Sequence, residues 1–410
     1  MRVAVLSLHS CPLGRLGTRD TGGMNVYVRH TAQELASLGV AVDVFTREHP
    51  PEAHAPAMVG EGVRLVHLSA ANGETKLGMY SYLPDLACAI HRFREEQGLT
   101  YDLVHSHYWL SGFAGAILSR WWGVPHITGL HTSARAKNHH LGWAAETELR
   151  AQTEADVLTA ASLIVAGCQR EKAELLTHYG VPPDKVAVAH AGVDTALFHP
   201  LPRRESRRRL TIAGETVVLF VGRIEPLKGV DILLAAVSGM EGRERVGVVV
   251  VGGQADDGEE AERLRRLAGE RGIGQQVSFR GPVEQADLPA YYSAADVCVL
   301  PSRYETFGLV ILESLACGTP VIATREGCAE EVVRPGENGW LMEQPSAAEL
   351  AGLLSRVAGM AGDGGHLRRQ ARRSVAGFTW RLTASRLAQE YRRLIEATPK
   401  LATGEFREGR

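Results

Sequence analysis

No apolar run in this 410-residue sequence is long enough to cross a lipid bilayer, and the N-terminus enters an apolar strand without a signal-peptide pattern. We therefore expect a cytoplasmic protein that does not associate with membranes. The formal net charge is -2, so the sequence lacks the basic excess that nucleic-acid-binding domains need. A nucleic-acid partner is not expected.

Cysteines are few and scattered, because none of the six forms a Cys-x-x-Cys pair and most lie in apolar surroundings. This pattern predicts reduced structural thiols, with neither a disulfide framework nor a zinc site. The sequence also lacks the glycine spacing of a dinucleotide-binding fold and the Gly-Lys-Ser/Thr of a P-loop. It gives no indication of a dinucleotide or ATP site.

What the sequence does contain is a repeated alternation of apolar strands and amphipathic helices. Such alternation predicts parallel sheets with helices on both faces, and the chain exceeds the usual size of one hydrophobic core. We predict an α/β protein of two domains, residues 1–198 and 199–379. The last helix, 380–397, carries an apolar stripe and is predicted to pack back on the first domain.

Two carboxylates, Glu305 and Glu313, follow the apolar run 297–300. Glu305 falls in the loop at the carboxyl end of a predicted strand, where open α/β sheets bind ligands, and Glu313 falls on the next helix. The start of that helix presents backbone N–H groups to a phosphate, from Phe307, Gly308 and Leu309. This order indicates a site for a sugar joined to a nucleoside by a diphosphate. The alternative is a strand–turn–helix with two ordinary surface glutamates.

Two cations follow the predicted strand 216–221: Arg223 at its end and Lys228 just before the next helix. An arginine can bind a dianion through two N–H groups, and a lysine binds it as a point charge. Spacing alone leaves a dianion site and two surface charges equally open. The strand and turn 277–283, which contains Arg280, offers main-chain hydrogen bonds to a nucleobase edge.

In the first half, the pair Gly22-Gly23 precedes a helix, and polar residues end several predicted strands. These strand-end residues are His107, Tyr108, His131 and Thr132. A single histidine at such a position is more often structural. Several polar residues at equivalent strand ends indicate a site.

Two charged segments have simpler interpretations. The helix 146–160 contains Arg150 and Glu154, which pattern alone indicates to be an i,i+4 pair on a solvated face. The polar and basic run 202–209 is interpreted as the interdomain linker with a solvated first helical turn, and the alternative is a membrane-surface role for its arginines.

Together these motifs resemble the retaining glycosyltransferases of family 4, over essentially the whole chain. The sharpest matches are the segments 20–28 and 105–112. The resemblance implies the GT-B fold, in which two Rossmann-like domains face each other across a cleft. Within the family, the sequence is most similar to the inositol-phosphate glycosyltransferases, with sucrose-phosphate synthases as relatives.

The resemblance also implies the residues of the donor site. Arg223 and Lys228 would bind the diphosphate, and Glu313 the ribose hydroxyls. Glu305 and His131 would contact the sugar, and Gly23 would lie against the phosphate. The expected catalytic residues are therefore Arg223, Lys228, Glu305 and His131.

For the acceptor, the resemblance implies a phosphate held by Lys76, Tyr108, Thr132 and Arg150, with Asn25 against an inositol ring. The implied reaction moves N-acetylglucosamine from its UDP derivative to a phosphorylated polyol such as 1D-myo-inositol 3-phosphate, with retention. It requires no metal or other cofactor, although a peripheral Mg²⁺ and a homodimer stay open. The partners are then a small-molecule donor and a phosphorylated acceptor.

The sequence departs from the family pattern at two places. The family's His-Thr-Leu is His131-Thr132-Ser133 here, and its Gly-Gly is replaced by Glu326-Gly327-Cys328. These changes leave the sugar and the acceptor open. The alternatives are a transfer of glucose to a hexose phosphate, as in sucrose-phosphate synthases, a sugar-nucleotide epimerase, and a non-catalytic sugar-nucleotide sensor.

Overall fold

A computed structural model describes residues 1–14, 21–47, 57–69, 76–253, 258–360 and 364–398. The first half of the chain forms one sheet with helices on both faces. Its strands are β1 (Arg2–Leu6), β2 (Ala41–Arg47), β3 (Ala57–Gly60), β4 (Val63–Leu68), β5 (Leu103–His107), β6 (His126–Gly129), β7 (Leu163–Ala166) and β8 (Val186–Val188). Its helices are α1 (Gly23–Ser37), α2 (Lys76–Tyr80), α3 (Leu83–Glu96), α4 (Trp109–Trp122), α5 (Ala134–Leu141), α6 (Glu148–Ala160) and α7 (Gln169–Tyr179).

The strand order in this first sheet is β3-β4-β2-β1-β5-β6-β7-β8. All neighbouring strands within the described ranges pair in parallel, except that β3 runs antiparallel to β4 at the sheet edge. Parallel strands end at one edge of the sheet, so the loops that follow β1, β5 and β6 lie side by side. The antiparallel edge strand was not predicted.

The second half builds a second sheet of the same kind. Its strands are β9 (Thr216–Val221), β10 (Val246–Val251), β11 (Val277–Phe279), β12 (Val297–Leu300), β13 (Val321–Thr324) and β14 (Gly339–Met342). Its helices are α8 (Arg203–Arg209), α9 (Val230–Ser238), α10 (Glu259–Glu270), α11 (Leu288–Ala294), α12 (Leu309–Ala316), α13 (Ala329–Val332), α14 (Ala347–Gly359) and α15 (Gly364–Ser374). The order is β11-β10-β9-β12-β13-β14, and every pair is parallel.

Continuous apolar runs form the strands because both faces of each sheet are covered by helices. All six residues of β10 are buried, for example. Five of the six free cysteines are buried as well, as small apolar side chains in a core tend to be. None of the helices in the described ranges is long and apolar enough to cross a membrane.

The last helix, α16 (Trp380–Ala397), returns to the first half as predicted. Its buried residues Leu387 and Tyr391 join the core formed by the first sheet and α1, and Trp380 stacks on His30 with ring centroids 5.0 Å apart. The chain entering this helix passes so close to Gly192 that a Cβ there would lie 2.1 Å from the Trp380 nitrogen. The crossing therefore requires glycine at that position.

The basic run 203–209 is not a solvated linker, and that interpretation is wrong. It forms α8, which packs on α11, and Arg207 donates to the Asp296 carboxylate at 2.6 Å and to the Ala294 carbonyl at 2.8 Å. Arg203 bonds the same carboxylate. One half-buried aspartate thus explains two of the arginines.

Candidate active site

A cavity of about 400 Å³ lies between the two sheets, at the carboxyl ends of strands from both. Nearly all of the predicted site residues line it: Gly23, Asn25, Lys76, Tyr108, His131, Thr132, Arg150, Arg223, Lys228, Glu305, Phe307, Gly308, Leu309 and Glu313. Arg280 does not line it. The Arg280 guanidinium donates to the Thr211 carbonyl at 3.3 Å and its backbone N–H to the Val250 carbonyl at 2.8 Å, so its side chain is not part of this cavity.

On the second-domain wall, Lys228 lies in a short turn before α9, and its Nζ donates to the Glu305 carboxylate at 2.7 Å. Arg223 follows β9 and pairs with Glu225 at 3.0 Å, with about half of its side chain exposed. Both cations therefore face a cavity in which their present partners are carboxylates. An incoming anion can replace those partners.

The loop that carries Glu305 ends at Gly308, which has φ 89° and directly precedes α12. A positive φ is a conformation that glycine adopts without steric cost. The first turn of α12 presents backbone N–H groups without intrahelical acceptors, together with the positive end of the helix dipole. This wall therefore offers a further anion-binding element, as predicted for this junction.

Glu313 lies one turn into α12 and is buried. The Tyr292 hydroxyl donates to its carboxylate at 2.7 Å. Burial raises the pKa of Glu313 to about 7, while the tyrosine hydrogen bond opposes that rise. The Glu313 carboxylate also lines the cavity, where it can accept hydrogen bonds from a diol.

On the first-domain wall, Arg150 and Glu154 form the predicted i,i+4 pair, but the pair is buried and the prediction of a solvated face is wrong. Arg150 Nε donates to Glu154 at 2.7 Å, and its Nη2 donates to the Thr132 hydroxyl at 2.7 Å and carbonyl at 3.0 Å. The fully buried Glu154 carboxylate explains why the arginine is held inside.

Lys76 and Arg150 both lie over the Tyr108 ring, with Lys76 Nζ 5.5 Å and Arg150 Cζ 4.9 Å from its centroid. The structure therefore brings together the four residues predicted to hold the acceptor phosphate. Tyr108 itself has φ 77°, a rare conformation for a residue with a side chain. Such strain is typical of binding sites.

Asn25 lines the cavity, but its amide is used inside the first domain. Its Nδ2 donates to the Ser10 hydroxyl at 2.7 Å and the Cys11 carbonyl at 2.8 Å, and its Oδ1 accepts from the Gly22 N–H at 3.0 Å. These bonds fix the loop that leads into α1. A contact between Asn25 and an inositol ring stays a prediction.

His131 also has a positive φ, 58°. Its Nε2 lies 2.8 Å from His107 Nδ1. Burial lowers the pKa of His131 to about 4 and that of His107 well below its usual range. Both imidazoles are therefore neutral at pH 7, and His131 meets a ligand as a hydrogen-bonding group rather than as a cation.

The sequence analysis missed several cavity residues: His9, Tyr27, Lys137, Glu146 and Glu171. His9 follows β1, and its ring centroid lies 4.2 Å from that of Tyr108 with the planes tilted by 32°, so the strand-end rule that found His107 would have found it. Glu146 lies four residues before Arg150, on the same side of the helix start. The others carry no signal in a single sequence.

The two departures from the family pattern both lie near the cavity. Gly327 approaches Phe307 so closely that a Cβ would lie 2.7 Å from its carbonyl oxygen, and the Cys328 N–H donates to that carbonyl at 2.9 Å. Ser133 caps α5 by accepting from the Ala136 N–H at 3.2 Å. Ser133 and the segment Gly327-Cys328 therefore have structural roles next to the walls of the site.

Glu326 belongs to a charged cluster that joins the two domains. Arg170 Nη2 donates to its carboxylate at 2.7 Å, and His140 Nδ1 lies 3.8 Å away. His140, Glu174 and Glu326 offer ligand atoms within 4.8 Å of one another. Since Arg170 pairs with both carboxylates, at 2.7 Å to Glu326 and 3.7 Å to Glu174, we assign the cluster to interdomain contact.

Two family models match the chain. The model described as Glycosyltransferase Family 4 matches residues 21–197, and the model described as Glycosyl transferases group 1 matches residues 202–373. The D-inositol 3-phosphate glycosyltransferase of Thermobifida fusca is 41% identical over 372 residues, 87% of this chain and 85% of the relative. The enzyme of that name from Thermobispora bispora is 39% identical over 412 residues, 96% of this chain and 95% of the relative.

Among solved structures, sucrose-phosphate synthase from Thermosynechococcus elongatus matches with a TM-score of 0.87 and 30% identity. The match covers 97% of this chain and 99% of the synthase. The two-domain fold is thus shared along the whole chain.

Proposed function

Because this chain belongs to the family 4 glycosyltransferases, we propose that it transfers N-acetylglucosamine from UDP-N-acetylglucosamine to 1D-myo-inositol 3-phosphate, with retention at the anomeric carbon. The observation that carries the proposal is that one cavity has anion-binding groups on both walls. Lys228 and Arg223 lie on the donor wall, and Lys76 and Arg150 on the acceptor wall. One pair of cations on each wall suits a reaction between a diphosphate-linked donor and a phosphorylated acceptor.

The bond that breaks joins the anomeric carbon to the diphosphate, so negative charge develops on the leaving phosphate oxygen. Lys228, Arg223 and the first turn of α12 are placed to stabilise that charge. Lys228 donates to Glu305 at 2.7 Å. The diphosphate would share this ammonium group, and the Glu305 carboxylate would be left to accept hydrogen bonds from sugar hydroxyls.

On the acceptor wall, the phosphate would bind Arg150 and Lys76 above the Tyr108 ring, and this places a polyol hydroxyl towards the donor. We propose same-face attack, in which a donor phosphate oxygen takes the proton of that hydroxyl. His131 is neutral and tied to His107 at 2.8 Å, so it contributes a hydrogen bond to the sugar. Closure of the two domains would exclude water.

A matrix of donors and acceptors tests this assignment. UDP-, GDP- and ADP-sugars are each incubated with inositol phosphate and with hexose phosphates, and nucleotide release is measured. We expect release only with a UDP-sugar and inositol phosphate together. Formation of a new nucleotide-linked sugar without any acceptor would indicate an epimerase. Binding of the donor without turnover would indicate a sensor.

The second candidate is transfer of glucose to a hexose phosphate. The specific observation in its favour is the 0.87 TM-score and 30% identity to a sucrose-phosphate synthase, and the same phosphate-binding wall would serve it. Nucleotide release that depends on fructose 6-phosphate rather than inositol phosphate would select this candidate.

A further inference from the structure

The acceptor wall contains a carboxylate that the proposed reaction does not use. Glu146 accepts a hydrogen bond from Lys137 Nζ at 2.6 Å, and the same oxygen lies 2.9 Å from Arg150 Nη1. All three side chains line the cavity. A carboxylate is therefore bound where an anionic ligand is expected.

Glu146 is not needed to orient Arg150. Arg150 Nε is bonded to Glu154, and its Nη2 is bonded twice to Thr132. These three bonds fix the plane of the guanidinium group from inside the domain. Nη1 is the remaining nitrogen, and it is the one that faces Glu146. It is therefore the guanidinium group's best donor for a phosphate oxygen.

The position of Glu146 allows its side chain to move while its backbone stays fixed. Asn138 binds the backbone at both ends, by donating to the Glu146 carbonyl at 3.1 Å and by accepting from its N–H at 2.8 Å. The side chain is 19% exposed, whereas that of Arg150 is 5% exposed. The Glu146 side chain is thus more exposed than that of Arg150, and both line the cavity.

We propose that Glu146 is a resident competitor of the acceptor phosphate, an inference that rests on the proposed function because it assumes that this phosphate binds Arg150. When the acceptor enters, its phosphate replaces the Glu146 carboxylate at Nη1. The carboxylate keeps its bond to Lys137, which acts as its partner in the occupied state. This competition favours dianionic phosphate esters. A singly charged acceptor gains less binding free energy from Arg150 than the displacement of Glu146 costs.

The test measures binding of 1D-myo-inositol 3-phosphate and of inorganic phosphate by titration calorimetry. Glu146→Gln keeps the shape of the side chain and removes its charge. We expect it to lower both dissociation constants by about fivefold, the effect of losing one partly exposed charged competitor, and to leave the UDP dissociation constant unchanged. An unchanged or raised dissociation constant for the two phosphates would overturn the proposal.

Lys137 supplies a second, independent comparison. Lys137→Met should raise both dissociation constants, because Glu146 then has Arg150 as its remaining partner. The double variant with Glu146→Gln should recover the affinity of Glu146→Gln alone. If the double variant binds as weakly as Lys137→Met, Lys137 itself binds the phosphate and the proposal is wrong.

Arg150→Lys distinguishes failure of this inference from failure of the proposed function. It keeps a positive charge beside the buried Glu154 and removes Nη1. If Arg150→Lys weakens phosphate binding but Glu146→Gln does not tighten it, only the competitor role fails. If Arg150→Lys leaves phosphate binding unchanged, the acceptor site of the proposed function fails with it.

Discussion

Replacing Glu313 with glutamine should change how the stability of the protein depends on pH. Burial raises the pKa of Glu313 from 4.5 to about 7. As pH rises between these values, the unfolded chain loses the proton and the folded protein keeps it, so the stability of the wild type falls. Between pH 5 and pH 8 this group alone removes about 2.5 kcal/mol, from 1.36 kcal/mol per pKa unit.

Glu313→Gln cannot ionise, so its own cost is the same at both pH values and cancels in the comparison. Calorimetric melting of both proteins at pH 5 and pH 8 measures the difference. The midpoint of the variant should rise relative to the wild type by about 5–10 °C between the two pH values, at 2–4 °C per kcal/mol. Midpoints that shift in parallel would refute the burial argument.

The same group links pH to donor binding. If the Glu313 carboxylate accepts the ribose hydroxyls, as proposed, UDP binds the ionised form. The UDP dissociation constant of the wild type should then fall more steeply as pH rises through 7 than that of Glu313→Gln, whose change reports the ionisation of the terminal phosphate of UDP. Calorimetric titration of UDP at pH 6 and pH 8 measures both.

Three further changes test other parts of the site. Lys228→Ala should lower kcat by about 10²-fold in a nucleotide-release assay, since a charge that stabilises the leaving group is lost; an unchanged kcat would exclude that role. Arg150→Ala should raise the acceptor KM far more than the donor KM; equal effects would contradict its place in the acceptor site, and a melting measurement controls for leaving the buried Glu154 carboxylate without its arginine. Gly327→Ala should weaken UDP binding, because its Cβ would lie 2.7 Å from the Phe307 carbonyl. An unchanged affinity in calorimetry would contradict a role for Gly327 in positioning the Phe307 loop.

Most of the fold was predictable because its signals are local. The apolar runs at 216–221 and 297–300 became β9 and β12, since a strand buried on both faces needs no alternation of polar residues. The helix that starts at Leu309 follows a glycine with positive φ, and the apolar stripe of residues 380–397 indicated that α16 packs back on the first domain. The short edge strand β3 gave no comparable signal, because strands of four residues carry little periodicity.

The site was predictable where residues follow strand ends and less so where long-range contacts decide. Arg150 looked like a surface charge, because nothing in the helical pattern shows that Thr132 and a buried Glu154 enclose it. The backbone of the turn that contains Arg280 was predicted to contact the nucleobase, and this stays a prediction; the Arg280 side chain itself turns to Thr211. Tertiary packing determines the direction of both arginine side chains, and the sequence around each arginine does not encode it.

The central claim is that this cavity joins a UDP-linked sugar to a phosphorylated polyol with retention. The most direct measurement is a proton NMR time course of UDP-N-acetylglucosamine with 1D-myo-inositol 3-phosphate and the enzyme. We expect a new α-linked anomeric signal that grows in step with UDP release and requires the phosphorylated acceptor. A β-linked product, or UDP release at the same rate without the acceptor, would contradict it.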